Sequence, residues 1–218
     1  MMKLISLLDR RPDIDLASFS HHWRTIHREL ALRLVAPGIM RAYVQNHRAE
    51  LDLPGLVWAG DGCPEVWVDD ATAVERLRDC PEYLHGAALD EPNFMSGGAR
   101  MTITTTRTVK SGPTRPALAG RVKLMLFLDD ARPVPPASQD RHSVLLPDGE
   151  ALRVERDILI GNWPDSLGRP CCRHVESSWW ESAQSLQSAW ETVGPVTVHG
   201  MVILEEAVLW QHGEVHQS

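Results

Sequence analysis

One short pattern occurs twice in this chain, 120 positions apart by residue number. Lys3-Leu-Ile-Ser-Leu-Leu-Asp9, followed by a charged turn ending at Pro12, returns as Lys123-Leu-Met-Leu-Phe-Leu-Asp129, followed by a turn ending at Pro133. Each copy reads as an apolar strand that stops at an acid and a proline-bearing turn. Self-similarity over such a distance predicts two units built on one plan, and the segments after each copy extend the likeness.

In the first unit, Asp15 or Ser18 can cap a helix that runs to about Ala36, where Pro37-Gly38 stops it. A strand is expected at about Ile39–His47, and a Pro/Gly-rich loop follows it (Leu53 to Gly62). Next come a strand at about Pro64–Val68, a helical region from Asp70 to about Leu89 and a Thr-rich strand at about Met101–Val109. The second unit offers strands at about Val122–Leu128, Leu152–Ile160, Cys172–Ser177 and Val198–Trp210. It also has a weak helix start near Pro136 and a helix at about Trp179–Trp190, which would carry Trp179, Trp180 and Trp190. Gln139 to Leu146 stands where the first unit has its long helix.

The order βαββαβ in each unit is the ferredoxin-like arrangement, an antiparallel sheet with two helices on one face. The bare face of one such sheet has to be covered, and two linked copies can cover each other. The expected fold is therefore α+β, with tandem ferredoxin-like repeats paired as an intramolecular dimer. Residues 1–110 form the first unit, 111–120 a linker (Lys110 to Pro116 is Pro/Gly-rich) and 121–218 a degenerate second unit that completes the structure.

The long first helix and the strand after it carry the densest chemistry. Leu16, Phe19, Trp23, Ile26, Leu30 and Leu34 recur at steps of three and four and form an apolar stripe. His27 lies one turn after Trp23, on or beside that stripe. It reads either as a core-edge imidazole bonded to a backbone carbonyl or as a partly buried general base, since imidazole titrates near neutral pH. On the strand, period two puts Arg41, Tyr43, Gln45 and His47 on one face and Met40, Ala42, Val44 and Asn46 on the other. A Tyr-Gln-His row on a covered sheet suggests a polar-lined pocket, whereas at a sheet edge the same row would simply meet water. Glu65 could orient an imidazole or be solvated. Phe94 reads first as a core plug.

Other classes fall away. Of 218 residues, 43% are hydrophobic and 23% charged, an ordinary globular composition. The net charge of −7 argues against nucleic acid or an anionic membrane surface as partner. No apolar run is long enough for a membrane span, and the N-terminus reads as a strand rather than a signal peptide. The cysteines (Cys63, Cys80, Cys171, Cys172) form no C-x-x-C pair, which fits a reduced, cytoplasmic protein. Cys171, Cys172 and His174 lie on one expected strand, where neighbours point to opposite faces, so no metal site is expected. There is no G-x-S-x-G elbow, no phosphate-binding glycine loop and no H-E-x-x-H.

The first unit resembles the EthD-type branch of the dimeric α/β-barrel superfamily. The residues that carry this are Phe19-x3-Trp23-x3-His27, the Pro-Gly turn, and Arg41-x-Tyr43-Val44-Gln45-Asn46-His47. Glu65 to Asp70, Pro81-Glu-Tyr83 and Asp90-Glu-Pro-Asn-Phe94 add to it. The resemblance spans about residues 2–109; the second half is similar in fold only. It implies paired sheets closing into a barrel, and relatives that act without cofactors on small, apolar, often aromatic or polyketide-like molecules. On that basis the expected function is a cofactor-independent lyase or isomerase, of dehydratase or decarboxylase type, acting on a small carbonyl compound. His27, His47 and Tyr43 would be its catalytic groups. Gln45 and Asn46 would bind the substrate through hydrogen bonds, and Trp23, Trp67 and Phe94 would form apolar walls. A non-catalytic binding protein and a cofactor-free monooxygenase of an activated phenol are the alternatives. Haem held by a histidine is a further option in such barrels, and a homo-oligomer beyond the internal pairing is compatible with the pattern.

Overall fold

The computed structural model of the chain describes residues 2–118, 120–128, 143, 145, 146, 150–160 and 172–210. The expected helix near Pro136, most of the Gln139–Leu146 stretch and Cys171 lie outside them.

Eight strands close into a barrel. They are β1 (Met2–Leu7), β2 (Ala42–Arg48), β4 (Gly62–Val68), β5 (Arg100–Lys110), β6 (Val122–Leu128), β7 (Arg153–Leu159), β8 (His174–Trp180) and β9 (Val198–Trp210). The order round the ring is β2-β4-β1-β5-β7-β8-β6-β9, and β9 pairs back onto β2. Every pairing in the ring is antiparallel. A short strand β3 (Leu56–Trp58) adds to the start of β9 in parallel. Each set of four strands has the same internal order, second-third-first-fourth. The two sets join at β5–β7 and at β9–β2, which removes both open edges.

Alternation along the strands separates two environments. On β6, Lys123, Met125 and Phe127 point into the barrel. Val122, Leu124, Leu126 and Leu128 pack outward with Trp180, Leu186 and Trp190 beneath helix α5 (Ala183–Glu191). All seven residues of this strand are buried, which explains a sequence that is apolar at every position but Lys123. Trp179 and Trp180 belong to β8 rather than to the helix expected there. The helix begins only after Ser182, whose side chain accepts a hydrogen bond from the backbone N–H of Ser185.

The interior is apolar at one level and ionic at the other. Ile5, Cys63, Met125, Val175, Met201 and Ile203 meet in the apolar layer. In the ionic layer, Lys3 of the first repeated motif bonds Asp157 of β7 at 2.9 Å and Glu65 of the neighbouring β4 at 2.8 Å. Lys123 of the second motif bonds Asn46 at 2.9 Å and also Glu65. Arg115, from the linker, joins Glu65 to Glu155, with Nη2 2.9 Å from the first and 2.8 Å from the second. Its guanidinium lies between the rings of Trp67 and Trp179, 5.1 and 4.7 Å from their centroids. Burial alone would raise the Glu65 carboxyl, but Arg115, Lys123 and Lys3 outweigh it and hold the group well below the usual range. The same competition, led by Arg115 and Lys3, brings Glu155 down to about 2. Glu65 is thus neither solvated nor beside an imidazole; it is the hub of the barrel's ionic layer.

Outside the first four strands lie two interrupted helices. The first comprises α1 (Leu16–His22), a π turn (Trp23–His27), α2 (Arg28–Leu32) and a 3-10 turn (Arg33–Val35). Asp15 caps its start by accepting from Ser18 N at 2.7 Å, and Gly38, with φ of 74°, turns the chain away after its end. The second comprises α3 (Ala73–Asp79), a π turn (Tyr83–Ala87) and α4 (Ala88–Phe94). None of the described helices is long and apolar enough to cross a membrane.

The π turn changes which residues face the sheet. The stripe in the sequence includes Ile26, yet that side chain is 51% exposed while Trp23 and His27 are buried. The wider turn, closed by Arg28 N–H to the Trp23 carbonyl, advances the buried face by one residue, so His27 takes the inward position that regular α-helical spacing gives to Ile26.

Candidate active site

Trp23, Tyr43, Gln45 and His47 form one hydrogen-bonded chain between the first helix and β2. Trp23 Nε1–H donates to Tyr43 Oη at 2.9 Å, and Gln45 Nε2 donates to the same oxygen at 3.1 Å and to the Trp23 carbonyl at 3.0 Å. With its amide N–H groups so committed, Gln45 turns its Oε1 to His47, which donates Nε2–H at 3.1 Å. All four residues are buried, and the Trp23 and His47 rings lie 4.5 Å apart. Two valences stay open. His47 Nδ1 is buried with no partner, and the Tyr43 hydroxyl hydrogen finds no acceptor among the described residues.

Burial fixes the protonation of this chain. It pushes His47 down to about 3, with the positive charge of Arg24 adding to the effect, and pushes Tyr43 up to about 12. At neutral pH His47 is therefore an uncharged acceptor and Tyr43 a protonated donor.

A second cluster joins the two helices. Asp90, on α4, accepts from His27 Nδ1 at 3.0 Å and from Asn93 Nδ2 at 3.1 Å. His22 Nε2 bonds both of its oxygens, at 2.9 and 3.1 Å. Burial would raise Asp90, but the bonds from Asn93, His22 and His27 bring it below its ordinary value. It is an anion that can only accept, so the His27 proton sits on Nδ1 and Nε2 keeps its lone pair. Burial lowers the His27 pKa despite the opposing pull of Asp90, so the ring is a neutral base at physiological pH. His27 Nε2 has no partner among the described residues, and the side chain retains 11% exposure. Phe94 lies against both imidazoles, 5.1 Å from His22 and 4.8 Å from His27, and 5.6 Å from Phe19.

The structure therefore brings Trp23, Tyr43, Gln45 and His47 into one network, with His27 and Phe94 in a neighbouring one. Asn46 and Trp67 stand on the opposite face of the sheet. Asn46 donates to the Cys63 carbonyl at 2.7 Å and to Glu65 at 3.0 Å, and Trp67 covers Lys3 and Arg115 inside the barrel. The alternation of the strand had already put Asn46 there. Asp90 and His22 were not singled out from sequence. Their one signal was the Asp-Glu-Pro-Asn-Phe segment, which does not say that its acid meets a helix 63 residues away.

Residues 11–98, which contain both clusters, match the model of the EthD domain. This segment is similar to the EthD domain. The matched segment runs from the charged turn after β1 to the residues just before β5 and includes both interrupted helices. No curated protein matches the chain. Among solved structures it is similar to an anthrone oxidase-like protein, with 9% identity and a TM-score of 0.52, covering 95% of this chain and 92% of that one. A monooxygenase-like protein of Fusobacterium nucleatum aligns with 8% identity and a TM-score of 0.46, over 95% and 92% of the two chains. At such identity the first likeness is one of fold: α+β, with helices outside a closed eight-stranded barrel.

Proposed function

We propose that this protein is an enzyme that moves protons on a small, apolar carbonyl compound, aromatic or polyketide-like, as a lyase or isomerase that uses no metal or organic cofactor. The observation that carries this reading is the Asp90–His27 pair, a carboxylate fixing the tautomer of a neutral imidazole whose second nitrogen is open. His27 Nε2 takes a proton from the carbon beside the substrate carbonyl. The C–H electron pair moves into the enolate, and the Tyr43 hydroxyl, its hydrogen uncommitted, donates to the enolate oxygen. In a dehydration, the enolate expels a β-hydroxyl group, which leaves as water with the proton His27 removed; in an isomerisation, that proton returns to a different carbon. His47, neutral, accepts a hydrogen bond from the substrate rather than supplying the acid. Trp23, bonded to Tyr43 and one turn before His27, and Phe94, against the His27 ring, supply apolar walls.

The likeness in fold to an anthrone oxidase-like protein favours a second reading, a cofactor-free monooxygenase. There the same base deprotonates an activated phenol or anthrone, and the carbanion delivers its electrons to molecular oxygen. Oxygen uptake during turnover separates the two. For either, His27→Ala lowers turnover by about 10²–10⁴-fold. Equal turnover by the variant would sink the assignment, and recovery of unchanged ligand after tight binding would make the protein a carrier.

We further infer that residues 1–110 and 121–218 are diverged ferredoxin-like copies joined by the linker at 111–120. The shared strand order supports this, as do the two motif lysines, each stacked on a tryptophan of its own half. Lys3 lies 5.0 Å from the Trp67 ring and Lys123 4.9 Å from that of Trp179. With one catalytic cluster in the first copy, ligand binds once per chain.

A further inference from the structure

His22 and His27 are five residues apart. In a regular α-helix that spacing sets two side chains about 140° apart around the axis, on different faces. Here a π turn lies between them, closed by the Arg28 N–H to the Trp23 carbonyl, and its i-to-i+5 bonding brings the fifth residue back to the same side. Both imidazoles consequently reach one carboxylate, Asp90, within 3.1 Å, and both rest on Phe94. Regular α-helical spacing through the segment would break this arrangement and return Ile26 to the inward position.

We propose that His22 is a positioning residue that tunes His27 through their shared carboxylate. This rests on the reading of His27 as the base. A single anion lies between two rings, and each competes for its charge. When His22 is protonated it draws on Asp90 and repels a proton on His27; when His22 is neutral, Asp90 supports the His27 imidazolium in full. The more exposed ring thereby reports solvent pH to the more buried one. The side chains are 22% and 11% exposed, and Asp90 between them is 8% exposed. Charged and titratable groups facing the pair come from both helices. His22 and His27 lie on the first; Asp90 lies on the second, beside Glu91, whose carboxylate accepts from the Tyr83 hydroxyl at 2.9 Å. Asn93 adds a neutral donor to Asp90.

The test is a proton NMR titration of the His27 ring in the whole chain, with or without a known substrate, in the native protein and in His22→Gln. Glutamine keeps a donor for Asp90 but cannot take a charge. The expected result is a two-step His27 titration in the native protein and a single step in His22→Gln, with its midpoint raised by about half a unit or more. Asp90→Asn moves the midpoint the other way. Once a substrate is known, the acid limb of kcat/KM in His22→Gln rises in pH with the NMR midpoint, while KM at high pH stays as in the native protein. A His27 titration identical in the native protein and His22→Gln overturns the proposal, even if His27→Ala proves that His27 is the base. If His22→Gln does not fold, His22→Asn is titrated in its place under the same criterion. If His27→Ala turns over substrate normally while the titrations couple as described, the catalytic reading fails and the coupling stands.

Discussion

Asp90 and His27 lie 63 residues apart and meet at 3.0 Å, the first on α4 and the second in the π turn of the first helix. The contact decides the chemistry of the site, because an ionised carboxylate on Nδ1 leaves the lone pair on Nε2. Asp90→Asn tests it at almost constant volume. An asparagine can turn its amide nitrogen to Nδ1 and stabilise the opposite tautomer, with the hydrogen on Nε2. Turnover is expected to fall by about 10²-fold or more, close to the loss from His27→Ala. Nitrogen-15 shifts of the His27 ring check the tautomer directly, and an unchanged tautomer with unchanged turnover contradicts the assignment.

Gly62 sets how closely the first helix approaches the sheet. A Cβ at this position would lie 2.6 Å from Trp23 Cζ3 and 3.1 Å from Phe19 Cζ, both rings fully buried. Neither can retreat without disturbing the Trp23–Tyr43 bond. Gly62→Ala is therefore expected to cost about 1–3 kcal/mol in urea unfolding. It should also perturb the Tyr43 and His47 ring signals by NMR; a silent substitution would mean that the packing at Trp23 is looser than the contacts imply.

Arg115 is the most heavily engaged residue of the linker, and its removal leaves Glu65 and Glu155 facing each other inside the barrel with less compensation. Arg115→Ala is expected to destabilise by about 3–5 kcal/mol, as when one partner of a buried ionic cluster is lost. Arg115→Lys should recover only part of this, because an ammonium lacks the planar five-donor fork with which the guanidinium meets Glu65 and Glu155 between the rings of Trp67 and Trp179. Equilibrium denaturation of the three proteins provides the comparison.

Local signals made much of the fold legible. Asp15 and Gly38 bound the first helix, and alternation on β2 correctly divided Tyr43, Gln45 and His47 from Asn46. The nearly continuous apolar run Val122–Leu128 marked β6 as a strand, and the structure buries it on both faces. Three things were not legible, each for a physical reason. A π turn carries no composition that distinguishes it from α-helix, so Ile26 was expected in the buried stripe with His27 on or beside it, and the exposure of Ile26 was not foreseen. Trp179 and Trp180 suit a helix as well as a strand, and only pairing with β6 and β7 decides between them. Asp90, Glu65 and Arg115 acquire their roles from partners distant in sequence, and no local pattern of charge indicates that a carboxylate will be buried among cations.

Burial of neutral histidine should make stability depend on pH in a specific window. His47 titrates at about 3 in the folded chain and near its ordinary value of 6.5 when unfolded. Between those limits the unfolded state binds a proton that the folded state refuses. Stability is complete above about pH 6.5 and falls as the pH drops towards 3, by about 1.4 kcal/mol per unit for this one group. His27, also lowered by burial, acts with the same sign at the upper end of the window. Glu155 follows later: its carboxylate, held at about 2 when folded, loses its contribution as the pH falls from 4.5. Urea unfolding at half-unit steps from pH 7.5 to 4.5 isolates the histidine contribution, and His47→Asn should reduce the slope across that interval. A slope identical in both proteins would show that His47 takes up its proton in the folded state, which would remove it as the neutral acceptor of the site.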